Sequence, residues 1–330
     1  MEAVKADKDF ICSFPTDLSQ DCLNAIIRDD IGFNKLPNNQ LHKIRNTLTA
    51  NDEFIYVMKI KAKELWELVI EMAWENAEPG IAFKDRVINY SPESVYELFI
   101  PIACNPCGEQ WLNAYDSCRL FALNLYSFVL NPFTENSSID LDKLYQIAYT
   151  QQVLADDLID LELERVQAII DKIESDPEPE NVKQRELDLW KNVYEVCKAG
   201  RRTGCGITAL GDMLAAMNAK YDSKYGMEII EKVMKTKMEA ELDATIDLAI
   251  LRGTFEGWDK TLEFVSNDYD GLVGTNSFYQ MLWDNFQKQT GRMVKYGRRN
   301  ISFSTIAPTG TVSLMTQTSS GCEPVFKAFY

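Results

Sequence analysis

One histidine, His42, stands among 330 residues. That scarcity removes the imidazole on which most serine and cysteine hydrolases depend, so acid–base work in this chain falls to carboxylates and thiols. Long apolar runs are missing as well. No stretch approaches the about eighteen apolar residues of a membrane span. The opening MEAVKADKDFICSFP has neither the basic start nor the apolar run of a secretory signal. A cytoplasmic location with no membrane partner is therefore expected. Positive charge is in deficit, since 34 basic against 50 acidic side chains leave a net charge of −16. Such a chain is not drawn to a nucleic-acid backbone, and no direct nucleic-acid partner is expected. Internal repeats, low-complexity segments and an interdomain linker are absent too, so residues 1–330 are expected to form one domain with no further division.

What is present points to an enzyme core. Hydrophobic residues make up 46% of the chain, enough for a sizeable buried interior. Eight cysteines in a reducing compartment do not read as a disulfide framework, so each thiol is weighed by itself. Over 62–78 the apolar residues Leu65, Leu68, Val69, Met72 and Ala73 recur at three and four, which predicts an amphipathic helix packed on a core. A second apolar piece follows at 95–103, and Pro106 with Gly108 then predicts a loop over 103–118. The run CRLFALNLYSFVL, 118–130, suits a buried parallel strand, with a buried helix as the alternative. Helices are expected over 138–172, 183–199 and 226–252, and Ile207, Leu210, Leu214 and Met217 fall on one helical face. The glycine-rich AGRRTGCG at 199–206 predicts a sharp turn before that helix, or a loop around an anion. ISFSTIAP supplies a β-branched strand. Strands alternating with helices on this scale indicate an α/β, helix-rich fold.

Two clusters of residues carry chemistry. In ACNPCGEQWLNAYDSC, Cys104 and Cys107 form a C-x-x-C that suits half of a zinc site or a redox pair. Zinc, however, needs a second pair or histidines, and Cys118, Cys197, Cys205 and Cys322 are scattered singly. Asn105, Cys107 and Glu109 stand at alternate positions and project to one side of an extended loop. An amide, a thiol and a carboxylate so arranged can hold a polyol, remove a proton and perform sulfur chemistry; a plain solvated turn is the alternative. In IAPTGTVS, the residues Pro308, Thr309, Gly310, Thr311 and Val312 lead from a strand to a helix start whose free N–H groups and hydroxyls suit a phosphate. No Walker lysine is present, and an ordinary capped helix start competes. No metal ligand set is expected.

Taken together, the blocks AWENAEPGIAFKDRVINYSPES, NPCGEQ, SCRLFALNL, RRTGCGITALGDML and RRNISFSTIAPTGTVSLMTQTSSGCEPVF resemble the catalytic large subunit of ribonucleotide reductases, closest to the adenosylcobalamin-dependent class II type. The resemblance covers residues 65–330 and is weaker over the first sixty. It implies part of a ten-stranded α/β barrel of the ribonucleotide reductase and glycyl-radical type, with the NPCGE loop at its centre. It implies Cys107 as the thiyl radical, Glu109 as the base at the 3′-hydroxyl, Asn105 as a partner of the sugar hydroxyls and Cys118 as one of two reducing thiols. Asn105 to Glu109, with Pro106 and Gly108, would line the sugar, and Pro308 to Val312 the phosphates of a ribonucleoside di- or triphosphate. Cys104 is then a spare thiol. The second reducing cysteine is expected upstream, where Cys12 and Cys22 lack its usual surroundings. The family's effector-binding N-terminal part and its C-terminal cysteine pair have no counterpart in this sequence. The resemblance therefore implies a fragment that needs one or more complementing chains, with adenosylcobalamin as cofactor, thioredoxin or glutaredoxin as reductant and a homodimer as one assembly. A class I large subunit served by a separate radical-generating protein, or a non-catalytic scaffold of the same fold, are the alternatives.

Overall fold

Strand β1 (Asp9–Phe14) pairs antiparallel with β3 (Phe54–Lys61), which also pairs with β2 (Leu41–Arg45), in the order β1-β3-β2. The computed structural model describes residues 2–14, 41–45, 54–267 and 271–325, and the chain divides into two units, 1–83 and 84–330. In the first unit, after a short helix α1 (Glu2–Lys5), an ion pair of 2.8 Å between Lys61 and Asp9 fixes the end of the β1–β3 ladder. Strand β3 runs straight into α2 (Ala62–Asn76). The predicted helix thus forms, but it is not a packed core helix: among its residues only Ala62 is buried, and Trp74 is 89% exposed. Apolar periodicity reports that one face is apolar; it does not report what covers that face.

The second unit begins with α3 (Lys84–Tyr90), and two 3₁₀ turns, Pro92–Val95 and Glu97–Phe99, take the place of the second apolar piece. Where a loop was expected over 103–118 there is a hairpin, β4 (Ala103–Cys104) against β5 (Trp111–Leu112), because Pro106 and Gly108 fall at its tip and not in its arms. The apolar run after Cys118 is a strand only as far as β6 (Leu120–Asn124). Asn124 then caps a 3₁₀ turn, its side chain accepting from Tyr126 N–H, and β7 (Val129–Leu130) pairs with β8 (Ser138–Ile139).

Two long helices, α4 (Leu141–Ser175) and α5 (Glu180–Gly200), form the crossover to β9 (Gly204–Thr208). The Asp140 carboxylate caps α4 by accepting from Lys143 N–H at 3.0 Å, and Arg201 ends α5 in the left-handed conformation at φ 47°. Strand β9 runs parallel to β6, from Leu120↔Gly204 to Asn124↔Thr208, and all five of its residues are buried. The GCG half of RRTGCG is therefore strand, neither a turn nor an anion loop. Its glycines let neighbouring chains close in on a central strand. Ile207 consequently lies on β9, while Leu210 and Leu214 lie on α6 (Leu210–Ala216) with Met217 just after it; all four still meet in one apolar core with Leu123, Phe128 and Leu144.

Helix α7 (Lys224–Arg252) is capped by Ser223 and closed by Gly253 at φ 88°. Next come α8 (Lys260–Glu263), the β10–β11 hairpin (Phe264–Asn267 with Gly271–Gly274), α9 (Ser277–Asn285) and α10 (Gln287–Tyr296). The expected ISFST strand is extended backbone along the far side of β9: Cys205 N–H donates to Phe303 C=O at 2.9 Å, and Thr305 N–H to Cys205 C=O at 3.1 Å. The architecture is α/β and helix-rich, as expected, with three parallel extended segments and no closed barrel among the described residues. The final described helix is α11 (Gly310–Thr316). No helix among the described residues is long and apolar enough to cross a membrane.

Candidate functional site

The hairpin tip owes its shape to Asn105 and Gly108. The Asn105 carbonyl accepts from Gly108 N–H at 3.0 Å, and Gly108 at φ 78° supplies the left-handed residue that such a tip requires. Asn105 closes the arms twice: its N–H donates to Gln110 C=O at 3.0 Å, and its side-chain oxygen accepts from Gln110 N–H at 3.1 Å. The Asn105 NH₂ has no acceptor among the described residues. Pro106, Cys107 and Gly108 are exposed, Asn105 and Glu109 half-buried, and nothing stands within 4 Å of where a Gly108 side chain would be. Glu109 Oε2 is buried without a partner among the described residues.

Buried charges hold the flanks of this hairpin. Arg202, fully buried, donates to Glu93 at 2.9 Å and to Asp116 at 2.6 Å, one acid on each side of the hairpin in sequence. Arg119 is held by Glu162 at 2.5 and 2.8 Å. Breaking such a pair by removing one partner strands a buried charge.

Cys118 precedes β6 and rests against Gly204. A methyl group at Gly204 would lie 2.4 Å from Cys118 Sγ, 3.0 Å from Leu120 Cδ2 and 3.1 Å from Thr305 Cγ2. Burial pushes the Cys118 thiol up to about 12; the guanidiniums of Arg202 and Arg119 oppose this, and the carboxylates of Glu109 and Asp116 add to it. Thr305 joins the parts, because its hydroxyl donates to Glu109 C=O at 3.1 Å while its methyl packs beside Gly204. Glu109 and Cys118, nine positions apart in sequence, are thus gathered at one end of β9. Cys205 is not a partner for Cys118. Strand alternation turns it the other way, where its thiol donates to Gln152 Oε1 at 3.2 Å and burial holds its pKa well above the usual thiol value.

The other end of β9 holds the PTGTV segment. Thr208 and Thr309 share a hydroxyl hydrogen bond of 2.9 Å, Gly321 N–H donates to Thr309 Oγ1 at 2.8 Å, and Thr309 N–H donates to Ser320 Oγ at 3.3 Å. This buried lock fixes the start of α11. There Gly310, Thr311 and Val312 are exposed, and their N–H groups have no acceptor among the described residues. Pro308 is exposed beside them. Four residue steps along β9, roughly 13 Å at strand rise, separate the two ends.

The structure thus gathers Asn105, Glu109 and Cys118 around the hairpin and sets Pro308 to Val312 at the opposite end of β9. Cys12, on β1, belongs to the first unit, and Cys22 lies outside the described residues. Cys104 is exposed on β4. Sequence patterns do not single out Gly204, Thr208 or Thr305. The close-packed glycines of RRTGCG are the available signal for the first, and nothing local marks the two threonines. Asp156, Asp157 and Asp160 are near enough to share a cation, but Arg201 pairs with Asp156 and Asp160, and Arg252 with Asp156 and Asp157.

Comparison with known proteins agrees with this architecture. The family model described as "Ribonucleotide reductase, barrel domain" matches residues 1–330. The chain belongs to the ribonucleotide reductase barrel-domain family. A vitamin B12-dependent ribonucleoside-diphosphate reductase of Thermoplasma acidophilum is 29% identical over 310 residues, covering 94% of this chain and 32% of the relative. One of the same name from Mycobacterium tuberculosis is 26% identical, covering 87% and 32%. A ribonucleoside-diphosphate reductase subunit alpha of Chlamydia pneumoniae is 25% identical, covering 82% and 24%. The solved Actinobacillus ureae class Id ribonucleotide reductase alpha subunit superposes with a TM-score of 0.53 at 21% identity, covering 81% of this chain and 40% of that one, which shows the shared fold. The chain spans about a third of the length of the B12-dependent reductases it matches.

Proposed function

We propose that the chain is the radical-bearing catalytic portion of a ribonucleotide reductase, converting a ribonucleoside di- or triphosphate to its 2′-deoxy form together with one or more complementing chains. The observation that carries this reading is Thr305, which draws Glu109 and the seat of Cys118 to one end of β9 while Thr208 fixes the PTGTV helix start at the other. A sugar at the hairpin then has its phosphates at the free N–H groups of Gly310 to Val312.

In this reading Cys107, at the exposed tip, becomes a thiyl radical and takes the 3′ hydrogen of the ribose. Glu109 accepts the 3′-hydroxyl proton on its unpartnered Oε2, and Asn105 donates its free NH₂ to a sugar hydroxyl. The 2′-hydroxyl leaves as water. Cys118 and a second thiol supply two electrons and two protons, ending as a disulfide, and Cys107 returns hydrogen to the 3′ carbon. A thiol held up to about 12 keeps its proton until it is needed. The disulfide is reset by a reductant of the thioredoxin or glutaredoxin kind.

The radical source proposed is adenosylcobalamin, after the B12-dependent relatives. The residues present fit it in one respect: Cys107 is exposed, and the space over Gly108 is open to a bulky group. When bound, the cofactor supplies the one-electron oxidising equivalent; this chain positions the thiol that receives it. The relative named as a subunit alpha favours a second reading, in which a separate protein supplies the radical.

The test is deoxyribonucleotide formation by the purified chain with adenosylcobalamin, a ribonucleotide and dithiothreitol, with and without complementing segments, beside a Cys107→Ser control. Product that requires both Cys107 and cobalamin supports the first reading. Product that needs a radical-generating protein instead supports the second, and nucleotide binding without turnover under every combination removes both in favour of a scaffold.

A further inference from the structure

Cys118 is held from behind. Its thiol faces Gly204, and the next side chain, Arg119, turns to the opposite side, towards Glu162 on α4 and Cys197 on α5. The parallel ladder of β6 and β9 starts only at Leu120↔Gly204. Just before it Gly204 N–H donates to Arg119 C=O at 2.9 Å, but among the described residues Ser117, Cys118 and Arg202 make no backbone–backbone hydrogen bond across the gap. Two chain segments therefore approach the site without a ladder to set their spacing.

The Arg119 guanidinium supplies the missing link. Its Nη1 donates to Ser117 C=O at 2.9 Å and to Arg202 C=O at 3.3 Å, so one nitrogen joins the residue before Cys118 to the chain that leads into β9. Nε and Nη2 donate to the two Glu162 oxygens at 2.5 and 2.8 Å, and Nη2 also to Cys197 Sγ at 2.7 Å. All five N–H groups are thereby used. Arg119 is 4% exposed, so bulk water does not reach it to replace a lost donor. A planar fork that grips a carboxylate along one edge and two carbonyls along another fixes an angle as well as a distance, which an ammonium group does not reproduce. Arg202 is not free to share the task, because its own guanidinium is divided among Glu93, Asp116 and Asn113.

We infer that Arg119, locked by Glu162, is the positioning residue of Cys118: it sets residues 117–119 against 202–204 so that the thiol stands in the hollow of Gly204. The inference rests on the proposed reading for what Cys118 does there, since a reducing thiol displaced by about 1 Å from its line to the 2′ carbon loses about a hundredfold in rate. Its measurement involves no turnover, so its failure and the failure of the reductase reading are seen separately.

The test is alkylation of the folded Arg119→Lys chain, read by peptide mass spectrometry at Cys118 and, as an internal reference, at Cys205, which is buried on β9 but bonds Gln152 and not Arg119. Lysine keeps the charge and loses the fork. At pH 8 Cys118 is expected to react at least about tenfold faster than in the parent while Cys205 keeps the parent rate. The rise of the Cys118 rate with pH is expected to level off sooner, nearer the ordinary 9.0 than the value of about 12 that burial imposes on the parent. Glu162→Gln, at a side chain 30% exposed, opens one jaw of the clamp and should speed Cys118 alone by about threefold, which decides the question if the lysine variant does not fold. An unchanged Cys118 rate in the folded variant would show that charge and not the fork matters, and equal acceleration at Cys118 and Cys205 would show that Arg119 only stabilises the fold as a whole. Either result overturns the inference.

Discussion

Replacing Gly204 by alanine tests the seat of Cys118 directly. The new methyl carbon would lie 2.4 Å from Cys118 Sγ, against the roughly 3.5–4.0 Å at which non-bonded heavy atoms settle, so the thiol must retreat by about 1 Å or more. It cannot move freely, because Leu120 Cδ2 and Thr305 Cγ2 already stand 3.0 and 3.1 Å from the same methyl position. Overpacking of this kind costs about 1–3 kcal/mol. Removing a glycine from a strand returns about 0.5–1 kcal/mol, leaving a net loss of about 1–2 kcal/mol. Urea unfolding measures it, and at a slope of about 3 kcal/mol per M the midpoint falls by roughly 0.5 M. In a Cys118→Ala background most of the clash is gone, so Gly204→Ala is expected to cost at least about 1 kcal/mol less there. An identical cost in both backgrounds would show that Cys118 does not rest on Gly204.

The remaining predictions concern protons and anions. Because burial lifts the Cys118 thiol to about 12 from an ordinary 9.0, alkylation of folded protein at pH 8 should be about a thousandfold slower at Cys118 than in unfolded chain, as read by peptide mass spectrometry. The sign for stability follows. Below pH 9 both folded and unfolded chains keep the proton and nothing is lost; from pH 9 towards 12 only the unfolded chain releases it, so this group progressively disfavours folding. A rate at Cys118 equal to that of the unfolded chain would contradict its burial. At the start of α11, Gly310→Asp meets no atom within 4 Å and is expected to leave stability within about 0.5 kcal/mol, yet to weaken ribonucleoside diphosphate binding about tenfold or more by calorimetry. Gly310→Ala should bind as the parent does; unchanged binding by the aspartate variant would place the phosphates elsewhere.

Local chemistry makes much of this protein legible from its residues alone. The NPCGE tip follows from Pro106 and Gly108, the long helices from their apolar period, and the helix start at Gly310 from proline, hydroxyls and glycine in succession. The readings that fail do so where partners, and not period, decide the outcome. RRTGCG has the composition of a turn, but from Gly204 onward its backbone is enclosed by β6 on one side and the 301–305 segment on the other, so its GCG half is strand. Ile207 shares the helical spacing of Leu210 and Leu214 yet lies on that strand. The helix at 62–76 has a core-like stripe, yet Leu65 and Leu68 are exposed and Val69, Met72 and Ala73 only half-buried.

The candidate site divides along the same line. Sequence by itself singled out the candidate groups Asn105, Cys107 and Glu109 and the candidate donors at Gly310 to Val312, because residue type fixes what a side chain can give or take, and the family resemblance added Cys118. Tertiary structure alone decided that Cys118 lies in the hollow of Gly204, that Thr305 ties it to Glu109, that Cys205 turns away to Gln152, and that Thr208 holds Thr309 in place. These contacts join residues from about eighty to two hundred positions apart, except Cys205 to Gln152 at about fifty, and no local pattern encodes them. They exist because a central parallel strand brings distant segments to its two ends.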